Sequence, residues 1–193
     1  MEFKLDRFVN TYLSDLKNAF SEIDLDMISS VIELVECVMD SGNTIHFIGN
    51  GGSAGTPSHS AGDWSKELGV ATICHTDNAS SLTAWANDTS YEEVFKNQLK
   101  VYLKPNDIVL AYSGSGNSEN VILGVNYANK INCKTVCFTG DYMNGGGGKL
   151  AKIVNFPIVF RTKSMERIED LQLIINHVIK ESIKSKRNIK SSC

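Results

Sequence analysis

Several things are scarce or missing in this 193-residue chain. There are 3 prolines and 2 tryptophans, no cysteine pair at CxxC spacing, and no excess of positive charge. No apolar run approaches the roughly 20 residues of a membrane-crossing helix. The amino terminus, MEFKLDRFVNTYL, alternates charged and apolar residues and lacks the continuous apolar centre of a secretion signal. The net charge of −3 argues against general nucleic-acid binding, which needs a basic surface. The locally basic stretch from Lys180 to Lys190 is expected to be a solvated helix end. Cys37, Cys74, Cys133, Cys137 and Cys193 form an odd set, and three lie in apolar segments, so buried reduced thiols in a cytosolic protein are expected. No repeat and no linker divides the chain, which suits one domain with a substantial core.

What is present, after two leading helices, is a succession of strands separated by helices. Apolar residues at helical spacing predict helices over residues 2–20 and 25–40, the latter ended by Ser41-Gly42-Asn43. Thr44 to Ile48 reads as a buried strand, followed by a glycine turn and a helix to about Leu68. Further strands are expected at 70–74, 107–112, 135–139 and near 153–156, and helices at 80–87, 91–103, from the second turn to Lys130, and at 166–185. Strands alternating with helices predict a three-layer α/β sandwich with a mostly parallel central sheet, ligands binding beyond the carboxyl ends of its strands. The two leading helices, 1–40, are expected to cap the sheet or pair with another subunit.

Two turns fall at such strand ends. The first is Asn50-Gly51-Gly52-Ser53, the second Ser113-Gly114-Ser115-Gly116-Asn117-Ser118. Glycine lets backbone approach a ligand, serine adds a hydroxyl donor, and the helix start presents unpaired N–H groups, so together they suit a phosphate monoester. Serines that merely cap a helix are the plainer alternative for the second turn. The GNGGSAG run lacks GxGxxG spacing, and Gly145-Gly146-Gly147-Gly148-Lys149 has Leu150 where a P-loop needs Ser or Thr, so both nucleotide motifs are set aside. His59 and Asp63, four apart, share a helical face and could hold a metal or serve as acid and base; such pairs are also common on surfaces. Glu169 and His177 lie two turns apart on the last helix, about 12 Å along its axis.

The pattern NGGSxxxxxHxxxD, AND at 86–88, SGSGNSxNV, TG at 139–140, GGK at 147–149 and RIEDLQLIINH resembles the phosphoheptose isomerase family of sugar-isomerase (SIS) domains over nearly the whole chain. The resemblance implies phosphate binding by Ser53, Ser113, Ser115 and Ser118, with Asn50, Gly51 and Gly52 shaping the first turn and Gly114 standing where the family usually has Thr. It implies that Asp88, Glu166 and Glu169 contact the sugar, that Asp63 and His177 are catalytic, and that zinc binds through His59, Asp63, Glu169 and His177. Asp63 stands at a family Glu and Glu169 at a family Gln. The implied reaction is the aldose–ketose isomerisation of sedoheptulose 7-phosphate to D-glycero-D-manno-heptose 7-phosphate through an enediol, feeding heptose nucleotides for lipopolysaccharide or capsule. Implied too is a cytoplasmic homotetramer with active sites between subunits, and neither a nucleic-acid nor a membrane partner. The rival from another class is a non-catalytic SIS phosphosugar sensor or adaptor, which needs the phosphate turns but no acid/base pair.

Overall fold

The computed structural model describes residues 3–190; Met1, Glu2 and positions 191–193, with the expected thiol Cys193, lie outside the described residues. The elements in chain order are α1 (Leu5–Ser21), α2 (Leu25–Ser41), β1 (Thr44–Gly49), α3 (Gly52–Leu68), β2 (Ala71–Cys74), α4 (Ala79–Asp88), a 3-10 turn (Tyr91–Glu93), α5 (Val94–Tyr102), β3 (Ile108–Tyr112), α6 (Glu119–Lys130), β4 (Lys134–Gly140), a second 3-10 turn (Tyr142–Asn144), α7 (Leu150–Ile153), β5 (Phe156–Phe160) and α8 (Met165–Arg187). The strands form one parallel sheet in the order β2-β1-β3-β4-β5.

Period-two alternation along these strands builds the layers. Ile45 and Phe47 of β1, Leu110 and Tyr112 of β3, and Phe138 of β4 bury one face of the sheet against α2, α3 and α8. Ile48, Val109, Ala111 and Cys137 face the other way, against α5, α6 and α7. Each fully buried large apolar side chain contributes roughly 1.5–3 kcal/mol, so the two seams anchor both helical layers. Asp24 starts α2, its carboxylate accepting from the backbone N–H of Asp26 and Met27, both at 3.0 Å. Cys74, Cys133 and Cys137 are buried free thiols as expected, whereas Cys37 is exposed.

Two expectations are corrected. The last strand is Phe156–Phe160, and Ile153 instead closes the one-turn helix α7. Asn155 ties to β4, its N–H donating to the Thr135 carbonyl and its side chain accepting from the Thr135 N–H. Pro157 is tolerated inside β5 because that strand forms an edge of the sheet. Nor is the basic end of α8 simply solvated: of its ion-paired cations only Lys186 is exposed, at 58%. Lys180 and Lys184 are largely buried and pair with Asp63 and Glu67 of α3, and Lys186 and Arg187 pair with Glu36 of α2.

A buried polar chain crosses the sheet on the α5 side. His46 of β1 contacts Asp107 Oδ2 through Nε2 at 3.2 Å and His75 Nε2 through Nδ1 at 3.0 Å. Asp107 also accepts from the backbone N–H groups of Thr44 and Lys104, each at 2.8 Å. With both imidazoles neutral, His46 donates to Asp107 and His75 donates to His46. His75 Nδ1 is then left buried without a partner among the described residues. Burial, with His46 beside it, pushes the His75 ring down to about 3, and burial lowers His46 against the pull of Asp107.

Candidate active site

The strand order reverses between β1 and β3, where open parallel sheets bind ligands. Gly49 and Tyr112, the last residues of those strands, are register partners. Both Gly/Ser turns therefore leave the sheet at the same level. Together they line a cavity of about 260 Å³ with Asn50, Gly51, Gly52, Ser53, Ser113, Gly114, Ser115 and Ser118, closed on one side by Met165 and Glu169 of α8.

Hydrogen bonds fix the cradle. The Ser53 hydroxyl donates to Gln172 Oε1 at 3.1 Å, and Gln172 Nε2 is held by the Phe138 carbonyl at 3.1 Å. The Ser113 and Ser118 hydroxyls are 3.0 Å apart. Asn50 and Asn120 exchange side-chain amide bonds at 2.8 and 2.9 Å, and the Tyr91 hydroxyl donates to Asn50 Oδ1 at 2.8 Å. A Cβ on Gly52 would lie 2.4 Å from the Glu169 carboxylate, so a larger residue there must displace that side chain. At Gly114 a Cβ would meet Met165 Sδ at 2.2 Å: the thioether occupies the space of a larger residue. The glycine run 145–148 is no phosphate loop. It backs the second turn, with the Leu150 N–H donating to the Gly116 carbonyl at 2.9 Å and the Lys149 N–H to Asn117 Oδ1 at 3.1 Å.

From this cradle α3 and α8 run side by side in the same direction. Ser53 meets Gln172, His59 meets His177, Asp63 meets Lys180 and Glu67 meets Lys184, at sequence separations of 117 to 119. From His59 and His177 onward the rungs are three or four residues apart, one helical turn each, which keeps these side chains on facing stripes. His59 Nε2 and His177 Nε2 are 3.3 Å apart, and His177 Nε2 lies 4.0 Å from Asp63 Oδ2. One ligand atom from each of His59, Asp63 and His177 falls within 4.8 Å of the others. Two ligands each 2.0–2.1 Å from a tetrahedral zinc are about 3.3 Å apart. The imidazole pair matches that spacing and Asp63 Oδ2 stands further off, at 4.0 Å from His177 Nε2; two imidazoles and a carboxylate are donors of the kind such an ion takes.

The structure departs from the expected site in three places. Glu169 is not in the trio; it packs on Gly52 at the cradle, and burial with Glu166 and Asp170 nearby raises it above the usual carboxylate range. Asp88 and Glu166 are exposed and do not line the cavity of this chain; Asp88 accepts from Asn87 and Glu166 from Ser164. The departures are thus Glu169, Asp88 and Glu166, whereas His177 stands in the trio with its side chain 43% exposed. Sequence reasoning missed Lys180, whose Nζ lies 2.7 Å from Asp63 Oδ2. The available signal was its spacing of three from His177, one helical turn. Also missed was Asn176, which accepts from the buried Tyr112 hydroxyl at 2.8 Å.

Residues 10–140 match the SIS domain family. The phosphoheptose isomerase of Aquifex aeolicus is 32% identical over 175 residues, covering 88% of this chain and 90% of its own length. That of Chlorobaculum parvum is 30% identical over 192 residues, covering 95% and 89%. Among solved structures, phosphoheptose isomerase from Neisseria gonorrhoeae superposes with a TM-score of 0.83 at 27% identity, covering 94% of this chain and all of that one. A switch-point cradle of two Gly/Ser turns, a histidine–aspartate trio further along α3 and α8, and these likenesses over most of the chain agree: the protein belongs to the SIS domain family, within the phosphoheptose isomerases.

Proposed function

We propose that the protein interconverts sedoheptulose 7-phosphate and D-glycero-D-manno-heptose 7-phosphate. The observation that carries this is the distance between cradle and trio. His59 lies seven residues beyond Gly52 on α3, about 10 Å along the axis. In an extended ketose 7-phosphate, phosphorus and the carbonyl carbon are about 9 Å apart, with C–C bonds near 1.5 Å. Phosphate in the cradle therefore puts the reacting carbons beside the trio, so that binding energy orients them.

Asp63 and His177 divide the proton transfers. One takes the proton beside the carbonyl, whose electron pair becomes the double bond of a cis-enediol, and returns it to the former carbonyl carbon. The other moves the hydroxyl proton between the two oxygens. Zinc held by His59, Asp63 and His177 supplies, when bound, a positive centre for the enediolate oxygens. Glu169 is assigned to the sugar rather than to the metal. A regulator would need the cradle alone; the gathered trio favours the enzyme.

The working unit in this proposal is a homotetramer with sites between subunits, in which Asp88 and Glu166 meet the sugar across an interface. The support is α1. Phe8, Val9 and Leu13 are exposed, while the same helix is held to α8 by Tyr12–Asp170 and Asp15–Arg167. No described helix is long and apolar enough to cross a membrane. A cytoplasmic supplier of heptose nucleotides for lipopolysaccharide or capsule completes the proposal. Incubation with sedoheptulose 7-phosphate in deuterated water tests it. The aldose is expected with deuterium on the former carbonyl carbon; neither product nor exchange would overturn it.

A further inference from the structure

Asp63 is the only carboxylate in the trio, and its charge is already matched. The oxygen that faces His177, Oδ2, is the one Lys180 holds at 2.7 Å. Both side chains are largely withdrawn from water, Lys180 at 11% and Asp63 at 18% exposure, so solvent screens the pair less than a surface pair. Glu169, which would have added a second negative charge, stands at the cradle instead. A divalent cation entering between the two imidazoles must therefore share Asp63 with an ammonium group. That ammonium has somewhere else to go, because Glu181, 63% exposed, lies 3.3 Å from the same Nζ.

We infer that Lys180 is a resident counter-cation that sets the divalent-metal affinity of His59, Asp63 and His177, shifting from Asp63 toward Glu181 when a metal ion binds. The inference rests on the trio being a divalent-cation site, and it runs opposite to a purely structural role. If Lys180 only held Asp63 in place, removing it would loosen the ligand and weaken metal binding. As a counter-cation, its removal frees Asp63 and relieves repulsion, and binding tightens.

The probe is Co(II) alone, followed by its visible d–d absorption in the metal-free full chain, so no turnover is needed. Lys180→Met keeps most of the side-chain volume and is expected to bind Co(II) about tenfold tighter or more, from the loss of a like charge a few ångströms away. Lys180→Gln serves as the second neutral variant should Met misfold, as judged by circular dichroism and urea midpoint. Lys180→Arg keeps the charge and is expected to stay within about threefold of the parent. Lys186→Met removes one positive charge from an exposed position near the end of α8 and should also change affinity by less than about threefold. Unchanged or weaker Co(II) binding in the neutral Lys180 variants overturns the inference. His177→Ala separates the two layers of the argument. If it binds Co(II) as the parent does, the trio is not the metal site and the reading beneath the inference fails; if it loses binding while Lys180→Met gains none, only the counter-cation role fails.

Discussion

Lowering the pH from 7.5 to 5.0 should destabilise this fold through His75 before most carboxylates begin to titrate. In the unfolded chain His75 titrates near 6.5, whereas in the fold burial and His46 hold it at about 3. Between those values the unfolded state binds more protons, so stability is fully present above about pH 6.5 and is lost as pH falls toward 3. At pH 5.0 the cost from this one ring is about 2 kcal/mol, taking 1.4 kcal/mol per pH unit over the interval below 6.5. His46 adds to it in the same direction. The geometry explains why the fold resists the proton: the ring is buried beside His46, and the one side chain that favours the charged form, Gln98, does not offset that desolvation. The assay is urea unfolding at a fixed protein concentration at both pH values, for the parent and His75→Phe. The variant is expected to be less stable at pH 7.5, because His46 loses its donor, yet its loss between the two pH values should be smaller by about 2 kcal/mol. Equal losses in parent and variant would refute the argument.

Asp63→Asn and His177→Ala should each lower turnover by at least about a thousandfold while phosphosugar binding survives, since the cradle is built from other residues; full kinetics with calorimetric binding would decide it, and retained activity would remove that residue from the mechanism. Gly52→Ala should weaken phosphosugar binding about tenfold, or about 1.4 kcal/mol, because its methyl group displaces the Glu169 carboxylate; titration calorimetry would show it, and unchanged affinity would mean that Glu169 swings aside freely. Charging α1 with Phe8→Asp and Leu13→Asp should dissociate the proposed tetramer and abolish activity with it; light scattering that still reports the parent's mass would exclude α1 from the interface.

Most of the frame was legible because period and punctuation agree along the chain. The strands β1 and β3 run into glycine turns, α2 and α3 stop at Gly42 and Gly69, and α5 stops just before Pro105. β5 was misplaced because Asn155 and Pro157 break the strand pattern, and only its edge position excuses the proline. The cradle could be read from local residue types, and so could the shared face of His59 and Asp63. The rest of the site depends on pairings across more than a hundred residues, which composition does not encode. Lys180 read as one cation in a basic tail until the register of α8 on α3 paired it with Asp63. The same register keeps Glu169 at Gly52, away from the imidazoles. His46, His75 and Asp107 lie 29 and 61 residues apart and carried no joint signal at all.

The rungs between α3 and α8 also bear on how the protein folds. Each joins segments 117 to 119 residues apart, so every contact of that seam closes a long loop and forms slowly compared with a hairpin or a single helix. A partly folded chain can build the two turns at the sheet and still lack every paired ligand. A metal ion held by His59, Asp63 and His177 would then bind only the fully docked chain, and its binding energy would add to global stability rather than to local order. Protection against hydrogen exchange should therefore rise on metal addition even in the amides of β3 and β4, neither of which supplies a residue of the trio, where global opening is their route to exchange.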